Sequence, residues 1–348
     1  MRSRIFAIHL FTVLFLFMRA GVAPAAETTA GQGTGALPPG FVPSHANVLY
    51  VPGSSQAMHK LDIYTPSAPK PAGGYPLLVY VHGGGFARGD KYSPTGDDFK
   101  TAMKGLDKGY MVASVNYRLS GTDRAPAQIV DVKAAVRFLK ANAAAYGFNP
   151  DRIALMGVSA GASIASAAAT SSDTAAFDAE LAAISAVKGA DNVKAVISLF
   201  GLYNFTRLQA QSDWLVNAGN TFLDGKYLPE YGEARKFFLG KKAANFNLPD
   251  SFEYKVLGGP LEEANPMTAR INAETYIGPN EPPFFIRHGG ADENIPFLQS
   301  VDFAEALKAR GNRVDFAIVP GAQHGIPGSN FFKIFDAEEM YNWLKQQM

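Results

Sequence analysis

Residues 153–163 read Ile-Ala-Leu-Met-Gly-Val-Ser-Ala-Gly-Ala-Ser, and this stretch restricts the fold more tightly than any other. Residues 153–156 are a short apolar run of the kind that forms a buried strand. Gly157-Val158-Ser159-Ala160-Gly161 matches G-x-S-x-G. Residues 162–170 are nearly all small, which predicts a helix packed close against a sheet. A chain that turns from strand to helix across one residue needs glycine on either side. Without Cβ atoms at 157 and 161, strand and helix can nearly touch. Ser159 is then held out on a sharp, strained turn, with the start of the helix aimed at it. The expected result is an exposed hydroxyl at the carboxyl edge of a sheet.

The flanking segments alternate. Residues 46–51 and 60–65 read as short strands, the second with Leu61 and Ile63 inward and Asp62 and Tyr64 outward. Residues 76–81 are continuously apolar, as in a strand buried on both faces, and lead into His82-Gly83-Gly84-Gly85-Phe86. Residues 97–108 read as a helix and 110–115 as a strand. Residues 126–146 read as an amphipathic helix with Ile129, Val132, Val136 and Leu139 on one stripe. Further strands are expected at 194–200, 283–288 and 313–319, and further helices at 296–310 and 331–346. Strands and helices alternating at these lengths predict an α/β fold, a mostly parallel central sheet with helices on both faces. Residues 201–265 break the rhythm with many aromatics and no clean strand. A structureless loop of that length is uncommon inside a compact domain. A small helical lid is therefore expected at about 203–264, inserted into one domain spanning 46–348.

Two arginines stand within Met1 to Arg4, residues 5–18 are apolar apart from His9 and Thr12, and Ala23-Pro24-Ala25 is a small-x-small site. This is the pattern of a secretory signal peptide, residues 1–25, too short to span a bilayer. Cleavage near Ala25 is expected, giving a secreted or periplasmic protein with no stable membrane span. Residues 26–45, rich in Gly, Pro, Thr and Ala, then form a flexible lead-in. Cleavage removes three arginines and no acids, taking the formal charge from +1 to −2. That balance offers no footprint for nucleic acid. The chain has no cysteine, so a core must hold the fold without disulfides. With 348 residues, 47% of them apolar, a large core is available. The six histidines are scattered, and neither a metal site nor a cofactor motif is legible. The sequence sets no oligomeric state.

A serine hydroxyl is a poor nucleophile until a base takes its proton, and the base must itself be oriented. In folds built on this elbow the chain order is Ser, then acid, then His. His45, His59 and His82 precede Ser159, and His9 leaves with the signal. His288 directly precedes the acid candidate. His324 follows it, in Pro320-Gly321-Ala322-Gln323-His324-Gly325, between the last strand and the last helix. The acid is Asp292, in the loop His288-Gly289-Gly290-Ala291-Asp292-Glu293, with Glu293 as the adjacent alternative. An N-cap role for Asp292 is poorly spaced from the helix expected at 296. An oxyanion needs donors, and the glycine run after His82 offers backbone N–H groups that converge with that of Ala160. His82 reads as a residue bracing this loop.

His-Gly-Gly-Gly-Phe at 82, Asn-Tyr-Arg-Leu at 116, Asp131, Gly-Val-Ser-Ala-Gly at 157, Pro-Pro-Phe-Phe-Ile-Arg-His-Gly-Gly-Ala-Asp at 282 and Gly-Ala-Gln-His-Gly at 321 occur in this order. Over about residues 46–346 the chain resembles the α/β-hydrolase superfamily. Within it, the chain is similar to the HGGG-type carboxylesterases and the bacterial feruloyl-esterase-like (BD-FAE-like) secreted serine esterases. The resemblance implies ester hydrolysis of a small-molecule or carbohydrate ester, with Ser159, Asp292 and His324 as triad. It also implies Gly84, Gly85 and Ala160 as oxyanion hole, and structural roles for Arg118 and Asp131. Relatives of the fold cleave aryl formamides, thioesters or peptides, and hydrolase-like binding proteins without catalysis also exist; those have lost a triad or oxyanion residue, and none is lost here. The match is weakest at 203–263, where substrate is set. Phe86, Tyr203, Trp214 and Ile326 are expected to line the pocket, with Phe222 and Tyr227 as further aromatics, favouring short or aromatic acyl groups.

Overall fold

In a computed structural model of the chain, which describes residues 40–172 and 174–348, the apolar runs form one eight-stranded sheet. The strands are β1 (His45–Leu49), β2 (Lys60–Tyr64), β3 (Tyr75–Val81), β4 (Met111–Val115), β5 (Phe148–Val158), β6 (Ala195–Leu199), β7 (Phe284–Gly289) and β8 (Val314–Val319). Their spatial order is β1-β2-β4-β3-β5-β6-β7-β8. β2 is antiparallel to β1 and to β4, and the other neighbours pair in parallel. The helices are α1 (Asp97–Met103), α2 (Ala127–Ala141), α3 (Ala143–Tyr146), α4 (Ala160–Thr170), α5 (Asp178–Ala183), α6 (Phe205–Val216), α7 (Asp224–Arg235), α8 (Phe252–Leu257), α9 (Pro266–Ile271), α10 (Leu298–Ala309), α11 (Phe331–Ile334) and α12 (Ala337–Gln347). The expected signal peptide and residues 26–39 of the lead-in lie outside the described residues.

Alternate residues of β3 enter two different cores. Leu77, Val79 and Val81 pack with Ile129 and Val132 of α2, Ile164 of α4 and Phe303 of α10. Leu78 and Tyr80 pack with Phe99 and Met103 of α1 and with Met340 and Leu344 of α12. A strand covered on both faces has no solvent side, so its sequence is an unbroken apolar run. Burying each such side chain contributes roughly 1.5–3 kcal/mol before the cost in conformational entropy. The expectation that Asp62 and Tyr64 face outward is corrected by the same layering. Asp62 is buried and meets Lys91 Nζ at 2.8 Å. Tyr64 is buried with its ring edge against Phe99.

Several boundaries differ from the sequence reading for local reasons. The helix expected at 126–146 is broken at Asn142, whose side-chain amide donates to Phe138 O at 2.8 Å and so competes with the helical ladder. The helix expected at 97–108 stops at Met103 and continues as a tighter turn, Leu106–Lys108, before Gly109 turns left-handed at φ 80°. The last helix is split by Asp336, whose carboxylate accepts from Glu338 and Glu339 N–H and starts α12. α5 was not anticipated.

The segment that broke the rhythm is helical, as expected, and holds α6, α7 and α8 before α9 leads back to the sheet. One part is anchored on α10: Trp214, Leu215, Tyr227 and Phe238 form a third apolar cluster with Phe297, Leu298 and Val301. Another part, α8, reaches the start of α2, where the Ala125 N–H donates to Val256 O at 2.9 Å. The loops after β3, β5, β7 and β8 all leave the carboxyl ends of parallel strands, the edge at which open α/β sheets bind ligands.

Candidate active site

Ser159 is the turn between β5 and α4, with φ 53° and ψ −125°. A non-glycine residue pays strain to hold such a backbone, and the flanking glycines make it possible. A Cβ on Gly157 would stand 2.3 Å from Gly161 O, and one on Gly161 would stand 2.2 Å from Val81 O. Both are shorter than any real contact, so the close approach inferred from the sequence is a property of the folded chain. The Ser159 N–H donates to Leu199 O at 3.0 Å, which ties the turn to β6.

The structure brings Ser159, His324 and Asp292 into one hydrogen-bonded line. Ser159 Oγ lies 2.8 Å from His324 Nε2, and His324 Nδ1 lies 2.6 Å from Asp292 Oδ2. An ionised carboxylate only accepts, so Nδ1 carries the proton and Nε2 is free to accept from the serine hydroxyl. Asp292 Oδ1 accepts from the N–H groups of Asn294 and Ile295, both at 2.9 Å. Burial, the largest single influence, would raise the Asp292 carboxyl. The charge of His324 and the hydrogen bonds from His288 and His324 together outweigh it, and the carboxyl is held well below the usual carboxylate range. Asp292 is therefore an anion at any working pH. Glu293, the alternative acid, is turned outward and pairs with Lys241 at 2.8 Å. His288 is fully buried: Nε2 meets Ile295 O at 3.0 Å and Asp292 Oδ2 at 3.1 Å, and Nδ1 meets Ser300 Oγ at 2.7 Å.

The glycine loop lies beside the serine. A Cβ on Gly83 would be 3.3 Å from Ser159 Cβ, and Gly84 and Gly85 have φ of 120° and 61°, where L side chains are strained. Ala160 is the first residue of α4, so its N–H has no intrahelical acceptor. His82 is buried, stacks on Tyr117 at 4.3 Å between centroids, and its Nδ1 donates to Gly83 O at 2.8 Å. The Arg118 guanidinium grips Asp131, with Nη2 2.8 Å from Oδ1, and His59 Nε2 is 3.2 Å from the same oxygen. This cluster joins the segment after β4 to α2. Among the described residues, no group of three His, Cys, Asp or Glu is placed to hold a metal ion.

A narrow apolar cleft lies one turn along α4 from Ser159, lined by Phe86, Ile129, Ile164, Phe205, Val256 and Ile271. Phe86, one of the residues expected to line a pocket, borders this cleft. Tyr203 and Trp214 do not, and that expectation is corrected. Both are 0% exposed. Tyr203 stacks on Phe303 at 4.2 Å, with its hydroxyl 2.9 Å from Ser198 Oγ. Trp214 donates its indole N–H to Asp224 at 2.8 Å, under the Arg235 guanidinium at 4.1 Å. Tyr227 is buried beside it, and Phe222 is 84% exposed. Ile326 is 50% exposed, two residues past His324, and its N–H donates to His324 O at 2.8 Å.

Sequence reasoning missed α8. Its Phe252 ring presses on the glycine loop, so that a Cβ on Gly85 would stand 2.5 Å from it. The neighbouring Glu253 is 8% exposed, and burial raises its carboxyl above the usual range. An acidic residue in the first turn of a helix is ordinary dipole chemistry, so the sequence carried no signal that this one is buried.

Known proteins are similar to this chain over most of its length. Esterase LipQ of Mycobacterium tuberculosis is 28% identical over 281 residues, 80% of this chain and 56% of LipQ. Isoprenylcysteine alpha-carbonyl methylesterase ICME of Arabidopsis thaliana is 27% identical over 269 residues, 77% of this chain and 54% of ICME. The chain spans about half the length of the curated relatives it matches. Among solved structures, a bifunctional GH43-CE protein of Bacteroides eggerthii matches with a TM-score of 0.64 and 29% identity, over 87% of this chain and 35% of that one. The tannin acyl hydrolase of Lactobacillus plantarum matches with a TM-score of 0.71 at 18% identity, over 87% of this chain and 93% of that one, a likeness of fold alone. A family model described as BD-FAE matches residues 61–307, a span that takes in the glycine loop, the serine elbow and the Asp292 loop. On that match, carried by an α/β-hydrolase sheet, the chain belongs to the BD-FAE family.

Proposed function

We propose that this protein is a secreted serine carboxylic-ester hydrolase that works through an acyl-enzyme intermediate on short-chain or aromatic, carbohydrate-linked esters. The observation that carries the reading is the line Ser159 Oγ–His324 Nε2 at 2.8 Å and His324 Nδ1–Asp292 Oδ2 at 2.6 Å, mounted on a strained elbow. In it, His324 takes the hydroxyl proton as Ser159 attacks the ester carbonyl. Asp292 holds the imidazole tautomer and stabilises the imidazolium. The N–H groups of Gly84, Gly85 and Ala160 receive the oxyanion, where one well-placed donor contributes about 3–4 kcal/mol to the transition state. His324 then returns the proton to the leaving alcohol, and water repeats the sequence on the acyl-enzyme.

Esterase names among the relatives and the carbohydrate-esterase neighbour favour the ester bond. The narrow apolar cleft favours a small acyl group. Residues 203–264 serve in this reading as a cap whose α8 walls the site. The deciding experiment is a hydrolysis panel of the purified protein on p-nitrophenyl acetate, butyrate and octanoate, methyl ferulate, acetylated xylan and an aryl formamide, beside Ser159→Ala. Turnover of short or aromatic esters, lost in the variant, supports the reading; ester turnover that survives Ser159→Ala overturns it. Export rests on the pattern of residues 1–25 and predicts a mature N-terminus within a few residues of Ala26 by N-terminal sequencing. Intact Met1 in a soluble cytoplasmic pool overturns it.

A further inference from the structure

Phe200 directly follows β6, and its ring does not point where the strand would send it. Along β6 the side chains alternate. Ile197 and Leu199 join the core that holds Met340 and Leu344 of α12, while Ser198 faces α4, its Oγ 3.0 Å from Ser166 Oγ. By that alternation residue 200 belongs on the Ser198 side. Its backbone instead turns left-handed, at φ 43°, and the ring joins Ile197 and Leu199. A bulky side chain is strained in this region, and such strain persists only where the surroundings hold it. Here the Phe200 N–H donates to Arg287 O at 2.8 Å, and the residue is 0% exposed. The ring stands T-shaped against the His324 imidazole, 4.8 Å between centroids, backed by Phe331 at 4.5 Å and Phe332 at 5.9 Å. A Cβ on Gly325, the residue after the candidate base, would stand 2.4 Å from it. Gly325 is therefore the residue that admits Phe200. Among the described residues, no other aromatic ring packs on the imidazole.

What that contact does follows from the hydrogen bonds around the imidazole. In the free protein the ring is held at both nitrogens, by Asp292 at Nδ1 and by the Ser159 hydroxyl at Nε2. Once Ser159 is acylated its Oγ carries no proton, and a neutral Nε2 has none to give. The bond to Ser159 is then lost, and Asp292 alone holds the imidazole by a hydrogen bond. Rotation of a histidine ring about its Cβ bond is soft, so one hydrogen bond leaves it free to tilt. An apolar contact does not depend on the serine proton, and Phe200 keeps its place through both halves of the reaction. We propose that Phe200 is a positioning residue that holds the His324 imidazole in line while the acyl-enzyme is hydrolysed. In that step Nε2 takes a proton from water as the water oxygen bonds to the acyl carbon. The bond from Ser159 Oγ to the acyl carbon then breaks, the proton passes from His324 to Oγ, and the carboxylic acid leaves. This rests on the serine-triad reading and adds to it the step at which the ring acts.

The test separates acylation from deacylation in Phe200→Leu, with p-nitrophenyl acetate as substrate. Three quantities are read: kcat, kcat/KM, and the acetylated fraction of the enzyme in an acid-quenched steady state, by intact-protein mass spectrometry. kcat/KM reports the steps up to acylation, and at saturation the ratio of acetylated to free enzyme is the acylation rate over the deacylation rate. Leucine keeps the site apolar but has no flat ring to set against the imidazole. Deacylation is expected to slow by about 10- to 100-fold, the scale of a small misalignment of a reacting group, while kcat/KM stays within about threefold of wild type. The acetylated-to-free ratio should rise by the same factor as deacylation slows. Where the wild type is already fully acetylated at saturation, the slowing appears instead as a matching fall in kcat and KM. Phe200→Met, similar in volume but flexible, should shift both quantities in the same direction, and it carries the test alone if the leucine variant does not fold. A role in packing alone lowers the melting temperature and the amount of active enzyme without moving the ratio; a folded variant that shows neither change overturns the proposal. So does a fall in kcat/KM as large as the fall in the deacylation rate. Ester turnover that survives Ser159→Ala would defeat the triad reading itself, a failure distinct from an unchanged ratio.

Discussion

His288 and His324 converge on the same oxygen of Asp292, at 3.1 Å and 2.6 Å. They differ in what their other nitrogen meets. His324 Nε2 faces Ser159, whereas His288 Nδ1 takes the Ser300 hydroxyl deep in the protein. One imidazole lies against the Ser159 hydroxyl, and the other braces the Asp292 carboxylate from within the protein.

That difference gives the first prediction. Ser159→Ala and His324→Ala should each lower kcat by about 10⁴- to 10⁶-fold, and the double variant should lose little more, because members of one catalytic unit are not additive. His288→Asn should lower it no more than about tenfold, well below the roughly 10²–10⁴ that a general base supplies. It should also cost about 1–3 kcal/mol of stability, through the partners left unsatisfied at Ser300 and Ile295. Steady-state kinetics with urea unfolding separates the two effects. Loss of turnover in folded His288→Asn with His324→Ala active would reverse the assignment.

The elbow glycines provide the second. Gly157→Ala and Gly161→Ala place a Cβ within 2.3 Å and 2.2 Å of backbone oxygens. Since neither strand nor helix can yield, each should cost at least about 3 kcal/mol. Gly225→Ala, inside α7 with nothing within 4 Å of its Cβ, should instead stabilise by about 0.5–1 kcal/mol. Equal melting temperatures for the three variants would count against this account of the turn.

The apolar cleft provides the third. Val256 lines it from α8. Val256→Ala should raise the octanoate-to-acetate ratio of kcat/KM by about 3- to 10-fold, since methylene-sized space in an apolar pocket is worth about 1–3 kcal/mol. An unchanged ratio would place the acyl chain elsewhere.

Glu253 gives a prediction on pH that is independent of substrate. Burial, the largest influence, raises its folded-state pKa above the unfolded value, and the hydrogen bond from its own backbone N–H and the charge of His324 only partly offset this. The folded state then binds more protons than the unfolded state, so stability falls as pH rises through that window. Glu253→Gln should therefore melt at a higher temperature than wild type at pH 8. The advantage should shrink as pH falls toward about 4.3, the unfolded glutamate value. Thermal melts at both ends of the range check the sign; a variant equally stabilised at both would mean that the charge is not responsible.

Much of this architecture was legible in the chain itself, for reasons that are local. Gly157 and Gly161 announce a turn because only residues without Cβ fit there. The run at 76–81 announces a doubly covered strand because every side chain must be apolar. His324 was separable from His288 because chain order on a parallel sheet decides which loop follows which strand. What residues 203–264 do was not legible in this way. Tyr203, Trp214 and Tyr227 have the composition of a pocket lining and of a core alike, and burial alone distinguishes them. Glu253 has the sequence of an ordinary first-turn acid, and becomes a buried one because Phe252 seats α8 on Gly85. Local sequence dictates where the backbone can turn and which strands are buried. Which side chains meet across the site depends on contacts between segments far apart in the chain, and those exist once the insertion has packed against the sheet edge.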